Sequence, residues 1–269
     1  MSESKQGSNT TRTRREPPRF RRVSVRRTEH LSPRLVRITF AGPDLDGLTV
    51  DEPAASVRLL LPSLGNRTLV MPSWNGNEFL LPDGRRPAIR TFTPRHIDAR
   101  NLELKIDIVV HGAGVASEWA QTAEPGASAA ISGPGRGYGI DREVMSFILA
   151  GDETAIPAIS QLLEALPVQS RVQVHIEIAH LDAQISLPDH PSTSVQWHHR
   201  TPGAAPASAL FEALRDAELG PNDRLWVAGE AAAIQRIRRL LFEDRGLPRT
   251  QVSARGYWKD GRTGSDGDT

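Results

Sequence analysis

Residues 146–167 read SFILAGDETAIPAISQLLEALP. The continuous apolar run at 146–150 is typical of a strand buried on both faces, and residues 151–154 form a turn. After the turn, apolar residues recur at the spacing of one helix face until Pro167 ends the pattern. The residues of that face are Ile156, Ile159, Leu162, Leu163 and Leu166. The stretch therefore predicts a strand, a turn and a helix, the opening unit of an α/β domain.

Strands and helices continue to alternate towards the C-terminus. Residues 171–179 alternate as a strand, 206–219 carry a helical pattern, and 224–229 form another apolar strand before a helix around 234–241. This order is typical of a parallel sheet whose ligand crevice lies at the carboxyl ends of its strands. We therefore predict a Rossmann-like parallel sheet with helices over residues 143–260.

The residues before this unit read as short strands separated by Gly/Pro turns. Residues 34–41 alternate, 56–61 form a second apolar run, and 102–110 give the cleanest half-buried strand in the chain. Several short strands with turns between them favour a small antiparallel barrel. The expected fold is thus an N-terminal antiparallel β-barrel of the six-stranded type over residues 20–142, followed by the parallel α/β domain.

Composition limits the chemistry. The chain has 269 residues, 38% hydrophobic and 24% charged, which suits two globular domains. It contains no cysteine, no apolar run long enough to span a membrane and no N-terminal apolar segment like a signal peptide. A cytoplasmic monomer without a resident metal is expected. Any redox chemistry must use a borrowed cofactor.

Charge is unevenly distributed, because residues 1–27 carry nine Lys/Arg against two Glu. We expect residues 1–19 to be a disordered basic tail and 261–269 to be a flexible one. A basic arm that includes Arg21 and Arg22 is also compatible with binding to nucleic acid or an anionic surface. No aromatic platform, zinc spacing or helix-turn-helix pattern accompanies it, so we expect neither a nucleic-acid nor a membrane partner.

The most informative motif is Arg90-Thr91-Phe92-Thr93-Pro94-Arg95, which precedes the strand at 102–110. This combination of side chains on a barrel strand suits a flavin. The guanidinium can bind the pyrophosphate, the aromatic ring can pack against the isoalloxazine, and the hydroxyl can lie near the redox-active nitrogen. An edge strand with solvated arginines is the alternative.

A second motif, His111-Gly112-Ala113-Gly114-Val115-Ala116-Ser117-Glu118-Trp119, reads as a Gly-rich turn that opens a helix. The free amides and dipole of a helix start favour a phosphate. The alternative is an ordinary surface helix with Trp119 in the core.

Together with four further segments, these motifs resemble the siderophore-interacting proteins, a family of flavin-dependent ferric-siderophore reductases related to ferredoxin–NADP reductases. The resemblance runs from about residue 21 to 261. The further segments are Gly133-Pro134-Gly135-Arg136-Gly137, Gly151-Asp152-Glu153-Thr154-Ala155-Ile156-Pro157-Ala158-Ile159, Trp226-Val227-Ala228-Gly229-Glu230 and Gly256-Tyr257-Trp258-Lys259. Six matches in order are far more specific than any one of them.

The resemblance implies a non-covalent FAD. Thr154 can equally cap the following helix, and Trp258 can equally be a core or hinge residue. The residues that it assigns to FAD are Arg90, Thr91, Phe92, Thr93, His111, Gly114, Val115, Ala116, Ser117, Asp152, Thr154, Ala155 and Trp258.

It also implies NADPH or NADH as the donor, with Gly229 and Glu230 as contacts, although Glu230 can equally stabilise the first turn of a helix. Arg58 and Arg136 are implied to face the ferric siderophore, an oxygen-rich and often anionic substrate; the alternative for each is an ordinary exposed cation.

The sequence departs from the family pattern at three positions. Phe92 replaces a usual tyrosine, Val115 a common proline, and His180 stands near a position that is often acidic, which leaves the nucleotide preference open.

The implied reaction passes electrons from NAD(P)H through FAD to ferric iron, with no protein acid, base or nucleophile. Two other functions stay open: a flavin reductase for a different acceptor, and a siderophore- or flavin-binding protein without turnover.

Overall fold

The computed structural model describes residues 19–63, 65–66, 68–112 and 114–261. These residues form one antiparallel and one parallel sheet, with a two-stranded hairpin beside the first. The strands of the first part are β1 (Arg21–Ser32), β2 (Leu35–Ala41), β3 (Val57–Leu61), β4 (Ser73–Trp74), β5 (Phe79–Leu80), β6 (Ala88–Phe92), β7 (Pro94–Asp98), β8 (Glu103–Val109) and β9 (Ser128–Ser132). Helix α1 spans Val115–Thr122.

The antiparallel sheet closes into a barrel. Its strand order is β6-β3-β9-β1-β2-β8-β7, and β4 pairs with β5 as the separate hairpin. The two end strands, β6 and β7, are separated in sequence by Thr93 alone. They are therefore two halves of one bent strand, which joins the edges of the sheet. This confirms the predicted barrel of the six-stranded type.

The barrel interior follows the predicted alternation on β2. Val36, Ile38 and Phe40 are fully buried in the barrel core. Leu35 points the other way and packs into the core of the parallel sheet. The two faces of β2 thus belong to two cores.

The prediction of a half-buried β8 is wrong for its acidic residues. Asp107 and Glu103 are buried as well as the apolar face. The Arg37 guanidinium donates to both Asp107 oxygens, at 2.7 and 2.8 Å, and this pairing raises the pKa of Arg37. Charge pairing makes the burial of Asp107 tolerable, and alternation alone does not reveal it.

The second part is the predicted Rossmann-like sheet. Its strands are all parallel, in the order β12-β11-β10-β13-β14. Their bounds are β10 (Ser146–Asp152), β11 (Arg171–Ile178), β12 (Thr193–His199), β13 (Arg224–Glu230) and β14 (Val252–Trp258). The helices are α2 (Ile156–Ala165), α3 (Ser208–Asp216) and α4 (Ala231–Arg239), the last continuing as a π-helical turn at Leu240–Asp244.

Two of these strands were not predicted. β12 and β14 are the edges of the sheet, and polar residues interrupt their apolar pattern. The helix predicted at 206–219 is shorter, because Ala207 takes a left-handed conformation with φ 57° just before α3.

Polar contacts join the two parts. Arg95 on β7 forms a two-point ion pair with Glu164 on α2, at 2.6 and 2.8 Å. The Gln161 amide donates to the Pro94 carbonyl at 2.6 Å, and its oxygen accepts from the Ala54 amide at 2.9 Å. Helix α2 therefore holds the barrel through both the bent strand and the segment before β3.

The basic arm lies mostly outside the described residues, which begin at 19. Arg21 and Arg22 of that arm belong to β1, within the range predicted for the barrel. Arg21 donates to the carbonyls of Asp44 and Asp46, at 2.6 and 2.8 Å. Within the part of the chain that the structure describes, no helix is long and apolar enough to cross a membrane.

A histidine pair lies on the face of the parallel sheet that α3 covers. His175 Nδ1 and His198 Nε2 are 3.0 Å apart, and the two rings are nearly parallel. Burial, with a smaller effect of His198, lowers the pKa of His175 from 6.5 to about 4. The unfolded chain therefore takes up a proton at this residue at a higher pH than the folded chain does.

We expect this difference to make folding sensitive to mild acid. The contribution of His175 to stability is complete above pH 6.5 and is lost as the pH falls towards 4. Between pH 7 and pH 5 it should lower the free energy of unfolding by about 2 kcal/mol. Urea unfolding at the two pH values should show a smaller loss for His175→Gln than for the wild type. The control His199→Gln, at an exposed neighbour, should lose as much stability between the two pH values as the wild type. A wild-type loss of stability in His175→Gln would show that His175 does not cause the acid sensitivity.

Candidate functional site

The two sheets meet at the bend of the barrel strand. Thr93, between β6 and β7, is buried, and its hydroxyl lies beside the Tyr257 phenol on β14. Burial raises the pKa of Tyr257 to about 12, although the bond to Thr93 acts in the opposite direction. Tyr257 was not predicted as a site residue, although it stands next to Trp258 in a segment that carries the resemblance.

The other residues of the first motif lie along β6. Thr91 is exposed opposite Arg58, and Arg90 is half-buried opposite Leu59, with one guanidinium nitrogen donating to the Ile89 carbonyl at 2.8 Å. Phe92 packs against the barrel core. Arg90 and Thr93 thus lie at the two ends of the segment 90–93, and their contact with a flavin stays a prediction.

The second motif forms the start of α1. The N-cap is Gly114, with φ 142° and no side-chain cap, and only a long contact of 3.4 Å joins its amide to Glu118. The Ser117 hydroxyl is used within the loop, since it donates to the His111 carbonyl and accepts from the His111 amide. Among the described residues no side chain caps the backbone amides of Val115, Ala116 and Ser117, and their role as a phosphate cradle stays a prediction.

Trp119 is largely buried and stacks parallel to Phe40 of the barrel core, with ring centroids 6.1 Å apart. Trp119 therefore has the core position of the alternative interpretation, and it fixes the cradle on the barrel.

Asp152, at the carboxyl end of β10, is the most connected group of the site. Its buried carboxylate accepts hydrogen bonds from the Thr154 amide and hydroxyl, from the Glu230 amide at 3.0 Å and from the Trp258 indole at 2.8 Å. Burial raises the pKa of Asp152, while these donors act to lower it. Asp152 thereby links the turn after β10, the end of β13 and β14.

Two predicted residues owe their identity to close packing around this group. A Cβ at Gly229, whose φ is 159°, would lie 2.6 Å from Asp152 Oδ2. Ala155 is fully buried, and its Cβ would collide with any side chain at Gly151. Small residues are therefore needed at Gly151 and Ala155, around the turn after β10, and at Gly229 near the end of β13.

Buried carboxylates also occupy two helix starts at the same edge of the sheet. Glu177 accepts from the amides of Ala207, Ala209 and Leu210 at the start of α3. Burial raises the pKa of Glu177, against the effect of these three bonds.

At the start of α4, Glu230 accepts from the Ala233 amide at 2.7 Å, as the alternative interpretation expected. Burial acts to raise the pKa of Glu230, but its backbone hydrogen bonds outweigh this and the pKa is lowered. Contact of Gly229 and Glu230 with a nucleotide stays a prediction.

The two arginines assigned to the substrate lie on segments that pack together. Arg58 is exposed on β3, and Arg136 is exposed in the loop after β9. The Gly135 amide donates to the Ser56 carbonyl at 2.6 Å. Because Ser56 directly precedes β3 and Arg58 is paired with Ser132 at the end of β9, the loop that carries Arg136 lies beside the start of β3.

Family models match both parts of the chain. Residues 24–138 match the siderophore-interacting FAD-binding domain, and residues 144–261 match the siderophore-interacting protein model. Ferric vibriobactin reductase ViuB of Vibrio cholerae is 30% identical over 239 residues, which cover 88% of each chain.

Solved structures agree with this fold. A siderophore utilization protein from T. fusca has a TM-score of 0.80 at 33% identity, over 92% of this chain and 95% of that one. A ferredoxin NADP+ reductase from Neisseria gonorrhoeae has a TM-score of 0.64 at 13% identity, over 89% and 99%, and is similar in fold alone.

We expect Asp152→Asn to destabilise the site. The asparagine amide has the size of the carboxylate, but its NH2 group cannot accept hydrogen bonds. At least one donor around residue 152 is then left unsatisfied, which costs about 1–3 kcal/mol of stability. Urea unfolding should show the loss, and tryptophan emission should shift as Trp258 is released. The exposed Asp182→Asn is the matched control. Wild-type stability and emission in Asp152→Asn would show that the carboxylate is not needed.

Proposed function

The chain belongs to the siderophore-interacting protein family, and on that premise we propose that it is a cytoplasmic, monomeric reductase that releases iron from a ferric siderophore with electrons from NAD(P)H. FAD is the cofactor of its barrel, because residues 24–138 match an FAD-binding domain. The observation that carries the proposal is that the buried Thr93 hydroxyl of the flavin motif lies beside the Tyr257 phenol on the last strand of the parallel sheet. The flavin motif of the barrel therefore borders the parallel sheet, which suits electron transfer between ligands of the two parts.

The barrel has the groups that a dinucleotide diphosphate needs. No described side chain caps the amides of Val115, Ala116 and Ser117, and Arg90 supplies a guanidinium on β6. The other described helix starts differ, since Glu177 and Glu230 cap α3 and α4 and Asp152 caps the turn before α2. A diphosphate is therefore best accommodated at α1.

Bound FAD supplies the conversion of a two-electron donor into single-electron steps. Around it, Thr93 presents a hydroxyl held by Tyr257, and Asp152 fixes the Trp258 indole. We propose that these residues orient the isoalloxazine ring and exclude water from it, and that none of them transfers a proton to the substrate. One NAD(P)H then reduces two ferric ions and yields NAD(P)+ and one proton.

We propose that the donor binds at the carboxyl edge of the parallel sheet. Glu177 and Glu230 already accept hydrogen bonds from the amides at the starts of α3 and α4. The nucleotide diphosphate therefore needs a cationic side chain instead of a helix start. Arg200, directly after β12, is such a group at this edge. Gly229 and Glu230 would then contact the nicotinamide end through their backbone.

Iron release follows from the chemistry of the ligands. Hard oxygen donors bind ferrous iron much less tightly than ferric iron, so reduction weakens the chelate. Exposed Arg58 and Arg136 raise the local concentration of an anionic chelate on one side of the barrel.

Anaerobic spectroscopy of the FAD-loaded protein tests the proposal. NADPH or NADH should bleach the flavin absorbance, and a ferric siderophore should restore it while a ferrous-specific dye reports one Fe(II) per electron. Recovery with other acceptors but not with ferric chelates would favour a different reductase. Protein that binds FAD and chelate but never bleaches would be a carrier, and either result overturns the proposal.

Arg90→Ala should lower flavin occupancy. Loss of a charge-assisted bond to the diphosphate is worth about 1.5–3 kcal/mol, or roughly 10- to 150-fold in the Kd for FAD. Titration of apoprotein with FAD, followed by fluorescence quenching, gives the Kd. Arg86→Ala, which removes an exposed arginine paired with Glu78, should bind FAD like the wild type. Full occupancy in Arg90→Ala would refute the assignment.

Arg58→Ala should raise the KM for an anionic ferric chelate by roughly tenfold and leave the FAD spectrum unchanged, because one cation of the substrate side is removed. Steady-state assays with the same donor concentration measure this. Arg100→Ala, at an exposed turn, is the control. An unchanged KM would exclude Arg58 from substrate binding.

A further inference from the structure

Arg255 on β14 forms hydrogen bonds with the backbone of two segments of the barrel. Its guanidinium donates to the carbonyls of Ala54 at 3.1 Å, Arg136 at 3.0 Å and also Gly137. Arg255 is half-buried, and its three acceptors are more than 100 residues away in sequence. One side chain of the parallel sheet thus holds the loop that carries Arg136 against the segment that leads into Arg58.

The same loop is built for close packing. Gly133 has φ 137°, and a Cβ there would lie 3.2 Å from the Ser56 carbonyl oxygen. Side chains at Gly135 and Gly137 would collide with Ser56 and Glu52. The backbone of the loop therefore lies directly on residues 52–56, and Arg255 closes this contact from the other side.

Arg255 also connects the loop to the flavin motif. It lies two residues before Tyr257, on the same face of β14, and the Tyr257 phenol lies beside the Thr93 hydroxyl. A single strand therefore sets the position of the Arg136 loop relative to Thr93.

We propose that Arg255 is a positioning residue for the substrate: it holds Arg58 and Arg136 in a fixed relation to each other and to the flavin, and so selects anionic ferric chelates over neutral ones. This inference rests on the proposed function. Arg255 acts through backbone carbonyls, which need the planar fork of an arginine. A lysine keeps the charge but provides a single point of donation.

Substitution of Arg255 by lysine distinguishes the effect of the forked guanidinium from the effect of the positive charge. We would prepare FAD-loaded wild type, Arg255→Lys, Arg255→Gln and the matched control Arg249→Lys, whose arginine lies over the Phe242 ring. Two probes of opposite kind are iron(III) tris-catecholate, with charge 3−, and neutral iron(III) tris(acetohydroxamate). Binding to the oxidised protein is measured by tryptophan quenching, and KM and kcat are measured with each chelate.

The wild type and Arg249→Lys should prefer the anionic chelate. Arg255→Lys should lose most of this preference, with a rise of roughly tenfold in Kd and KM for the tris-catecholate, a smaller change for the neutral chelate and an unchanged flavin spectrum. Arg255→Gln should behave in the same way. The bleaching rate with NAD(P)H should stay at the wild-type value in both variants.

Retention of the wild-type preference by Arg255→Lys would overturn the inference, because a general positive charge would then be sufficient. Loss of FAD from the variant would also overturn it, since Arg255 would then support the fold as a whole. Absence of chelate binding and reduction in the wild type would instead refute the proposed function.

Discussion

A buried carboxylate that needs several donors organises the carboxyl edge of the parallel sheet. Removing a carboxylate from water is costly unless hydrogen bonds replace the lost hydration. Asp152 obtains them from Thr154, Glu230 and Trp258, which lie on three different elements. Those elements must therefore keep one relative arrangement, and Gly229 has to remain without a side chain to leave room for the carboxylate.

The hydrogen-bonding needs of buried carboxylates also make the two halves of the chain differ in the helix starts that they offer to an anion. In the parallel sheet, Glu177 and Glu230 satisfy the amides of the helix starts that dinucleotide-binding folds commonly offer to phosphates. In the barrel, no side chain of the described residues caps the start of α1. The positive end of a helix dipole is thus available to a ligand beside the barrel and neutralised by the protein at the edge of the parallel sheet.

Contacts between the halves convert two separate motifs into one site. Arg34 pairs with Glu153 at 2.9 Å, and the second oxygen of Glu153 accepts from the Ala179 amide. Arg255 binds the loop of Arg136, and Tyr257 reaches Thr93. Electron transfer between bound ligands depends on fixed separations, which these side-chain contacts provide without a covalent link.

Periodicity and motif order in the sequence determined both fold classes and the start of α1, because these features depend on residues that are near each other in the chain. Tertiary structure alone decided that Asp107 is buried with Arg37, that β12 and β14 are strands, and that Arg255 and Tyr257 lie against the barrel. Edge strands have weak apolar patterns, and the partners of a buried charge are far away in sequence. Arg255 shows this most clearly, since its acceptor in Ala54 is 201 residues away and becomes a neighbour only when the two sheets pack.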